Sequence, residues 1–273
     1  MKIARVFPTK TSMCPVDKHA YFGTPDLFTP NYDKIHISVT FTWDIKKAKY
    51  LARCWEDKGK VKLGGIAIDG ESDKPMVSGM YLREGITITS RGCPNKCNFC
   101  LVKNDLIELD EFPEGNIVQD NNFLACSKKH REKVYKMLRK QKQIEFKGGL
   151  ESIRVNSEIA EELRTLRIKT LWLACDSPNR IKPLANAVNI LKKFGFKRSH
   201  FYCFCLIGKN IQEEENRLKE IWDIGCMPFA QLYRDPLNSI NYSKEWKQFQ
   251  RLWSRPAIIR TRMKELCKKK TLL

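Results

Sequence analysis

The sequence predicts an α/β fold: an open partial (β/α)6 barrel with a small α/β N-terminal unit. Two observations lead there. From Gly85 onward, β-branched or aromatic runs alternate six times with segments of helical periodicity, the pattern of a parallel sheet with helical crossovers. The chain has 273 residues, enough for one large α/β domain with an appendage, but six units are too few to close an eight-fold barrel.

The elements follow in order. Lys34–Trp43 (KIHISVTFTW) is β-branched and aromatic and reads as a strand. Asp44 stands where it can cap the next helix, Ile45 to Lys58, whose Ala48, Leu51, Ala52 and Trp55 fall on one face. Gly59 stops that helix, and Val61–Ile68 reads as a second strand interrupted at Gly64-Gly65. Residues 69–80 are turn-rich and read as a linker. Gly85–Ser90 (GITITS) is the first barrel strand and runs directly into a cysteine-rich loop. Further strands are expected at Asn116–Ala125, Gln143–Phe146, Thr170–Cys175, His200–Ile207 and Met227–Leu232. The helices between them span Ser127–Gln141, Ser157–Arg167 with Ser157 as cap, Pro183–Phe194 and Gln212–Asp223. From Tyr242 the chain is basic and helical. The expected division is therefore a degenerate Rossmann-like unit over 1–80, the partial barrel over 81–240 and a basic helical segment over 241–273.

The formal net charge is +19. Lys128–Lys147 holds nine Lys or Arg against two acids, and Trp246 to the end holds nine against one. That balance favours an acidic partner, nucleic acid or a nucleotide first; a solvated Lys-rich face is the plain alternative. No apolar run is long enough to span a membrane, and MKIARVFPTKTSM lacks the apolar core of a secretory signal. A cytoplasmic protein with no membrane contact is expected. Eleven cysteines, odd in number and irregular in spacing, then read as thiols or metal ligands rather than a disulfide framework.

Three of them stand in RGCPNKCNFC (Arg91–Cys100), where Cys93, Cys97 and Cys100 are separated by four and three residues. Gly92 and Pro94 suit a tight loop around a metal centre. A structural zinc site wants four protein ligands, commonly as two pairs, and no second CxxC pair is present. Three thiolates leave one iron of a [4Fe–4S] cluster without a protein ligand, open to a cosubstrate.

The C-x3-C-x2-C spacing, with an aromatic before its last cysteine, resembles the signature of the radical SAM superfamily, and the resemblance covers roughly Gly85–Tyr233. It implies that Cys93, Cys97 and Cys100 hold a [4Fe–4S] cluster and that S-adenosyl-L-methionine chelates the open iron. It also implies that Phe99 lies beside the adenine. Reductive cleavage would then yield a 5′-deoxyadenosyl radical, fed by a reductant such as flavodoxin or ferredoxin. The Gly-Gly-Glu motif usual after the second strand is absent. VQDNNFL stands there, so Asp120 or Asn122 is the expected substitute, as in the cobalamin-domain and methylthiotransferase-like branches. Gly148-Gly149, one strand later, reads as a strand-end turn. Those branches also imply Arg154 as partner of the methionyl carboxylate. A Gly-x-Glu-Ser-like strand end is matched to Ala174–Ser177, placing Asp176 and Ser177 at the ribose hydroxyls or the methionyl moiety. Gly208 would end the fifth strand near the adenine. A helix cap before Pro178 is the plain alternative for Asp176-Ser177.

Cys203 and Cys205 share one strand face, so a second cluster is conceivable, with small apolar packing the commoner role of such thiols. The N-terminal unit lacks the DxHxxG cobalamin motif, and His36 falls inside a strand; the unit reads as a truncated, cofactor-free relative. Two other readings stand beside the enzyme: a zinc-dependent nucleic-acid-binding module with a distant fourth ligand, and a non-catalytic iron–sulfur redox sensor.

Overall fold

The structure, a computed structural model, describes residues 1–69, 80–102 and 105–271. The linker expected over 69–80 falls outside the described residues but for its two ends. The chain divides into two compact units, Met1–Ile86 with Pro236–Ser239, and Thr87–Asp235 with Ile240–Leu273. The basic C-terminal helices thus belong to the second unit.

In the first unit, strands β1 (Ile3–Val6), β2 (Ala20–Tyr21), β3 (Lys34–Ser38) and β4 (Lys60–Gly64) form a parallel sheet in the order β2-β1-β3-β4. Helix α1 (Ile45–Cys54) packs Ala48 and Leu51 onto Val6, Ile35 and Ile37, and the fully buried Trp55 donates from Nε1 to the Gly23 carbonyl at 2.9 Å. β1 and β2 are too short to carry a two-residue period that sequence reading can recognise. The expected strand from Lys34 ends at Ser38, and Val61–Ile68 ends at Gly64 before a short helix α2 (Ile66–Asp69). Asp44 makes no capping bond; its Oδ1 accepts from Thr9 Oγ1 at 3.1 Å. His36 is packed in β3, with Nδ1 at 2.5 Å from the Tyr81 hydroxyl. Burial, with Lys62 and Lys34 nearby, pushes its imidazole below the usual range.

The second sheet is parallel and laid out in sequence order, from β5 (Gly85–Thr87) through β8 (Gly115–Val118), β9 (Ile144–Leu150), β10 (Ile168–Ala174) and β11 (Phe201–Ile207) to β12 (Met227–Leu232). The strands β6 (Ser90–Arg91) and β7 (Ile107–Glu108) make a separate antiparallel pair. The expected first strand is thus broken after Thr87. The physical reason is Asp120, whose carboxylate accepts from Thr89 N at 2.6 Å, Thr89 Oγ1 at 2.5 Å and Ser90 Oγ at 2.8 Å, drawing the chain out of the sheet ladder between β5 and β6. β9 runs through Gly148-Gly149 to Leu150, so the two glycines lie inside the strand and not in a turn after it. A Cβ at Gly148 would stand 1.8 Å from the Asp120 carbonyl oxygen, so only glycine lets the chain pass.

Helices α3 (Lys128–Leu138), α4 (Ser157–Arg164), α5 (Ile181–Lys193) and α6 (Ile211–Ile224) make the crossovers. The cap of α4 is Asn156, whose Oδ1 accepts from Ile159 N at 2.9 Å, rather than Ser157. The C-terminal segment is two helices, α7 (Lys244–Trp253), capped by Ser243, and α8 (Pro256–Thr271). On β11 the residues alternate: Phe201, Cys203, Cys205 and Ile207 are buried, while Tyr202, Phe204 and Leu206 are half-buried. The buried set joins Leu171, Leu173, Leu184 and Leu218 in the main core, where each fully buried Leu or Phe is worth about 1.5–3 kcal/mol. The opposite face and the shared C-terminal edge of the strands are left for a ligand, the usual place in parallel α/β folds.

Candidate functional site

At that edge lies a cavity of about 710 Å³. Its walls come from the cysteine loop after β6, the segment after β8 and the ends of β9 to β12. Cys93, Cys97 and Cys100 all line it as half-buried thiols outside any disulfide. The loop is anchored at its start, where Gly92 has a positive φ of 72° and its N–H donates to Asn121 Oδ1 at 3.1 Å. At its end, Cys100 N donates to the Cys97 carbonyl at 3.1 Å.

A carboxylate clamp holds Cys93. Its Sγ receives the backbone N–H of Asn95 at 3.4 Å and the Asn122 side-chain amide at 3.3 Å. Glu151, just past β9, locks both donors: Oε1 accepts from Asn95 Nδ2 at 2.7 Å and Oε2 from Asn122 Nδ2 at 2.8 Å. Arg154 Nε adds an ion pair at 2.6 Å. Burial pushes the Glu151 carboxyl up, but the bonds from Asn122, Arg154 and Asn95 outweigh it and hold the group below the usual range.

Among the described residues, no three His, Cys, Asp or Glu side chains converge as ligands of a single metal ion. A cubane cluster asks for something else, because each thiolate binds a different iron and the sulfurs ring a volume instead of meeting at a point. Cys93, Cys97 and Cys100 supply three half-buried thiols along one cavity. Burial and the neighbouring Cys100 push the Cys97 thiol up, Cys93 adds to this, and Arg180 partly offsets it. Three thiolates that repel one another are stabilised by a cationic centre between them. Asn122 Oδ1 is moreover buried without a partner beside Cys93.

Of the residues singled out from sequence, the structure brings Phe99, Asn122, Asp176 and Ser177 to the cavity with the three cysteines. Phe99 is 38% exposed there. Asp120, Arg154 and Gly208 do not line it. Asp120 is buried, and its carboxylate is occupied by Thr89 and Ser90. Arg154 is paired with Glu151. Gly208 donates its N–H to Glu214 at 2.9 Å, and with φ 140° it leaves room for the Tyr242 hydroxyl, which a Cβ would meet at 2.4 Å. Asp176 Oδ1 accepts from Leu206 N at 2.9 Å. Burial pushes its carboxyl above the usual range, offset in part by Leu206 N–H, Arg217 and Arg180.

Sequence reading missed Asn95, Asn121, Glu151, Arg180, Gln231, Tyr233 and Arg234 in the lining. For Glu151 a signal existed: Gly149-Leu150-Glu151-Ser152 is a literal Gly-x-Glu-Ser strand end, one strand before the segment to which that pattern was matched. Cys203 and Cys205 face the helices, fully buried, with Arg217 Nε donating to Cys205 Sγ at 3.3 Å. Burial pushes the Cys205 thiol up to about 12. Comparison with protein-family models and with curated proteins finds no match, so the functional reading comes from the chemistry of the site.

Proposed function

We propose that the chain is a radical SAM enzyme in which Cys93, Cys97 and Cys100 hold a [4Fe–4S] cluster and the adjoining cavity receives S-adenosyl-L-methionine. One observation carries this: the three thiols of a C-x3-C-x2-C loop line one cavity at the C-terminal edge of a parallel sheet laid out in sequence order. On this reading the six strands are an open partial barrel. When bound, the cluster supplies the electron for reductive cleavage of S-adenosyl-L-methionine, which gives a carbon radical that takes hydrogen from a substrate.

The chain's own residues do the rest. The Glu151 clamp fixes the orientation of Cys93. Phe99 offers a ring wall for the adenine, and Asp176 and Ser177 offer acceptors for hydroxyl groups of the cosubstrate. Phe204 and Leu206 give the cavity an apolar side that excludes water from a reactive radical. The +19 charge suits an acidic partner, whether an electron carrier such as flavodoxin or ferredoxin, or a nucleic-acid substrate. Among the described residues no helix is long and apolar enough to cross a membrane.

Anaerobic reconstitution with iron and sulfide, then dithionite and S-adenosyl-L-methionine, tests the reading. The expected result is about four irons per chain, lost on Cys97→Ala, with 5′-deoxyadenosine detected by mass spectrometry. Zinc without iron would support a zinc module instead, and a cluster without cleavage would support a redox sensor.

A further inference from the structure

The half-buried face of the second sheet carries a ladder of rings. Tyr202 and Trp172 stack at 4.7 Å and 24°, and Trp172 and Phe204 stack at 4.6 Å and 29°. Phe229 meets Trp172 and Phe204 edge-on at 5.5 Å and 5.9 Å. All four rings stay half-buried, unlike the sealed Phe201, Cys203 and Cys205 on the opposite face. Of the ladder, Phe204 lines the cavity. A stacked ring wall left partly open is a platform for another planar ring.

Register shows what lies above that platform. Phe204 pairs with Phe229, and Leu206 pairs with Gln231, one rung nearer the C-terminal edge of the sheet. Tyr233 and Arg234 follow at the strand end. Along one wall of the cavity the chemistry therefore runs from aromatic to amide to phenol and guanidinium. The cavity as a whole is lined by four cations, Lys96, Lys147, Arg180 and Arg234, against two acids. One group of each sign is paired outside the lining, Glu151 with Arg154 and Lys147 with Glu145.

We infer that this wall is the substrate subsite and that it takes a nucleotide, with the base stacked on Phe204, its edge within reach of the Gln231 amide, and the phosphate at Arg234. Aromatic stacking tolerates any base, while a planar guanidinium fork selects phosphate. A neutral planar molecule would not use the cationic end of this wall at Arg234, and an apolar anion would not use Gln231. The inference rests on the proposed function only in giving this wall to substrate, with the adenine of the cosubstrate at Phe99. The nucleotide is either free or part of a strand, and binding separates the two sources.

The experiment is calorimetric titration of the full chain, saturated with S-adenosyl-L-methionine, with UMP, CMP and GMP, their nucleosides, and a short single-stranded oligonucleotide. A nucleotide is expected to bind with its nucleoside at least about ten-fold weaker, and Arg234→Gln is expected to erase that difference. Phe204→Leu should weaken all bases by about ten-fold, and Gln231→Ala should change the order of preference among bases. Tighter binding of the oligonucleotide, with the same dependence on Phe204, assigns the nucleotide to a strand. Normal S-adenosyl-L-methionine binding with no nucleotide or oligonucleotide binding overturns the inference and leaves the proposed function standing. So does equal affinity for nucleoside and nucleotide. Absence of both cluster and cosubstrate binding sinks the proposed function, while nucleotide binding that still depends on Phe204 and Arg234 keeps the subsite.

Discussion

Asn122 Nδ2 donates to Glu151 Oε2 at 2.8 Å and to Cys93 Sγ at 3.3 Å, so one amide ties the cysteine loop to a carboxylate at the end of the neighbouring strand. Replacing Glu151 by Gln weakens charge-assisted bonds to Asn95, Asn122 and Arg154 in a mostly buried place, which costs about 1–2 kcal/mol. Differential scanning fluorimetry should show a fall in Tm of about 2–8 °C at pH 7. The sign with pH follows from the depressed carboxyl of Glu151. Its contribution is present above the ordinary value of 4.5 and is lost as pH falls through the lower folded value. Wild type and Glu151→Gln should therefore converge on acidification below 4.5; a gap that stays constant would show that the carboxylate charge is irrelevant.

The same clamp bears on the reconstituted protein. N–H donors to a ligating sulfur stabilise the reduced cluster and raise its potential. Asn122→Ala removes one of the two donors to Cys93 and should lower the midpoint potential, with iron content unchanged. A potentiometric titration followed by EPR measures this, and an unmoved midpoint would reduce Asn122 to a packing role.

How legible this was in the sequence differs by element. The alternation of runs from Gly85 onward revealed the parallel order, and β12 begins and ends as read, because Met227–Leu232 is bounded by Gly225 and a polar segment. The three cysteines needed only spacing. β1 escaped because four residues carry no period. Asp120 stood out in the sequence, beside Asn122, because it occupies the place where the resembled family carries its Gly-Gly-Glu motif; its bonds to Thr89 and Ser90 span about thirty residues of chain, and such long-range pairing leaves no local trace. Arg234 and Gln231 were invisible for a related reason: a strand-end Arg or Gln is ordinary until the sheet brings it to the cavity with the cysteine loop.

Asp176→Asn should stabilise the protein at neutral pH. Burial raises its carboxyl above the ordinary 3.8, with Leu206 N–H, Arg217 and Arg180 only partly offsetting this. The folded state thus binds the extra proton, and stability falls as pH rises from 3.8 through the folded value. An amide keeps an acceptor for Leu206 N–H without the charge. The gain should appear as a higher Tm at pH 7 and should disappear below pH 3.8, where both forms are neutral. A loss of Tm at pH 7 would mean that the ionised form is the one that the site stabilises.

Gly148→Ala should be among the most damaging single-methyl changes in the chain. The added carbon would lie 1.8 Å from the Asp120 carbonyl oxygen and 2.8 Å from its carbonyl carbon and amide nitrogen, all of them backbone atoms. Backbone cannot rotate away as a side-chain tip does, so the cost is expected at or above the usual 1–3 kcal/mol of overpacking, about 3 kcal/mol. Urea unfolding would measure it. Gly195→Ala is the control, since nothing lies within 4 Å of a Cβ there and only the strain of φ 89° remains. Equal midpoints for the two variants would contradict the close approach of β9 to the Asp120 backbone.

The thiols should fall into two kinetic classes. Among the ten cysteines whose burial is described, Cys54, Cys93, Cys97 and Cys100 are half-buried, whereas Cys14, Cys126, Cys175, Cys203, Cys205 and Cys226 are buried. Burial pushes the Cys126 thiol up to about 11 and those of Cys175, Cys205 and Cys226 up to about 12. At pH 7 a thiol near 12 is ionised in on the order of one molecule in 10⁵, and only the thiolate is alkylated. Iodoacetamide labelling with peptide mapping should therefore modify the four half-buried cysteines in native protein and the buried six only in urea. Reconstitution with iron and sulfide should then shield Cys93, Cys97 and Cys100 and leave Cys54 as reactive as before, because Cys54 ends α1 in the first unit and takes no part in the cavity. Shielding of all four would point to general burial instead of a shared centre, and shielding of none would remove the cysteine loop as a cluster site.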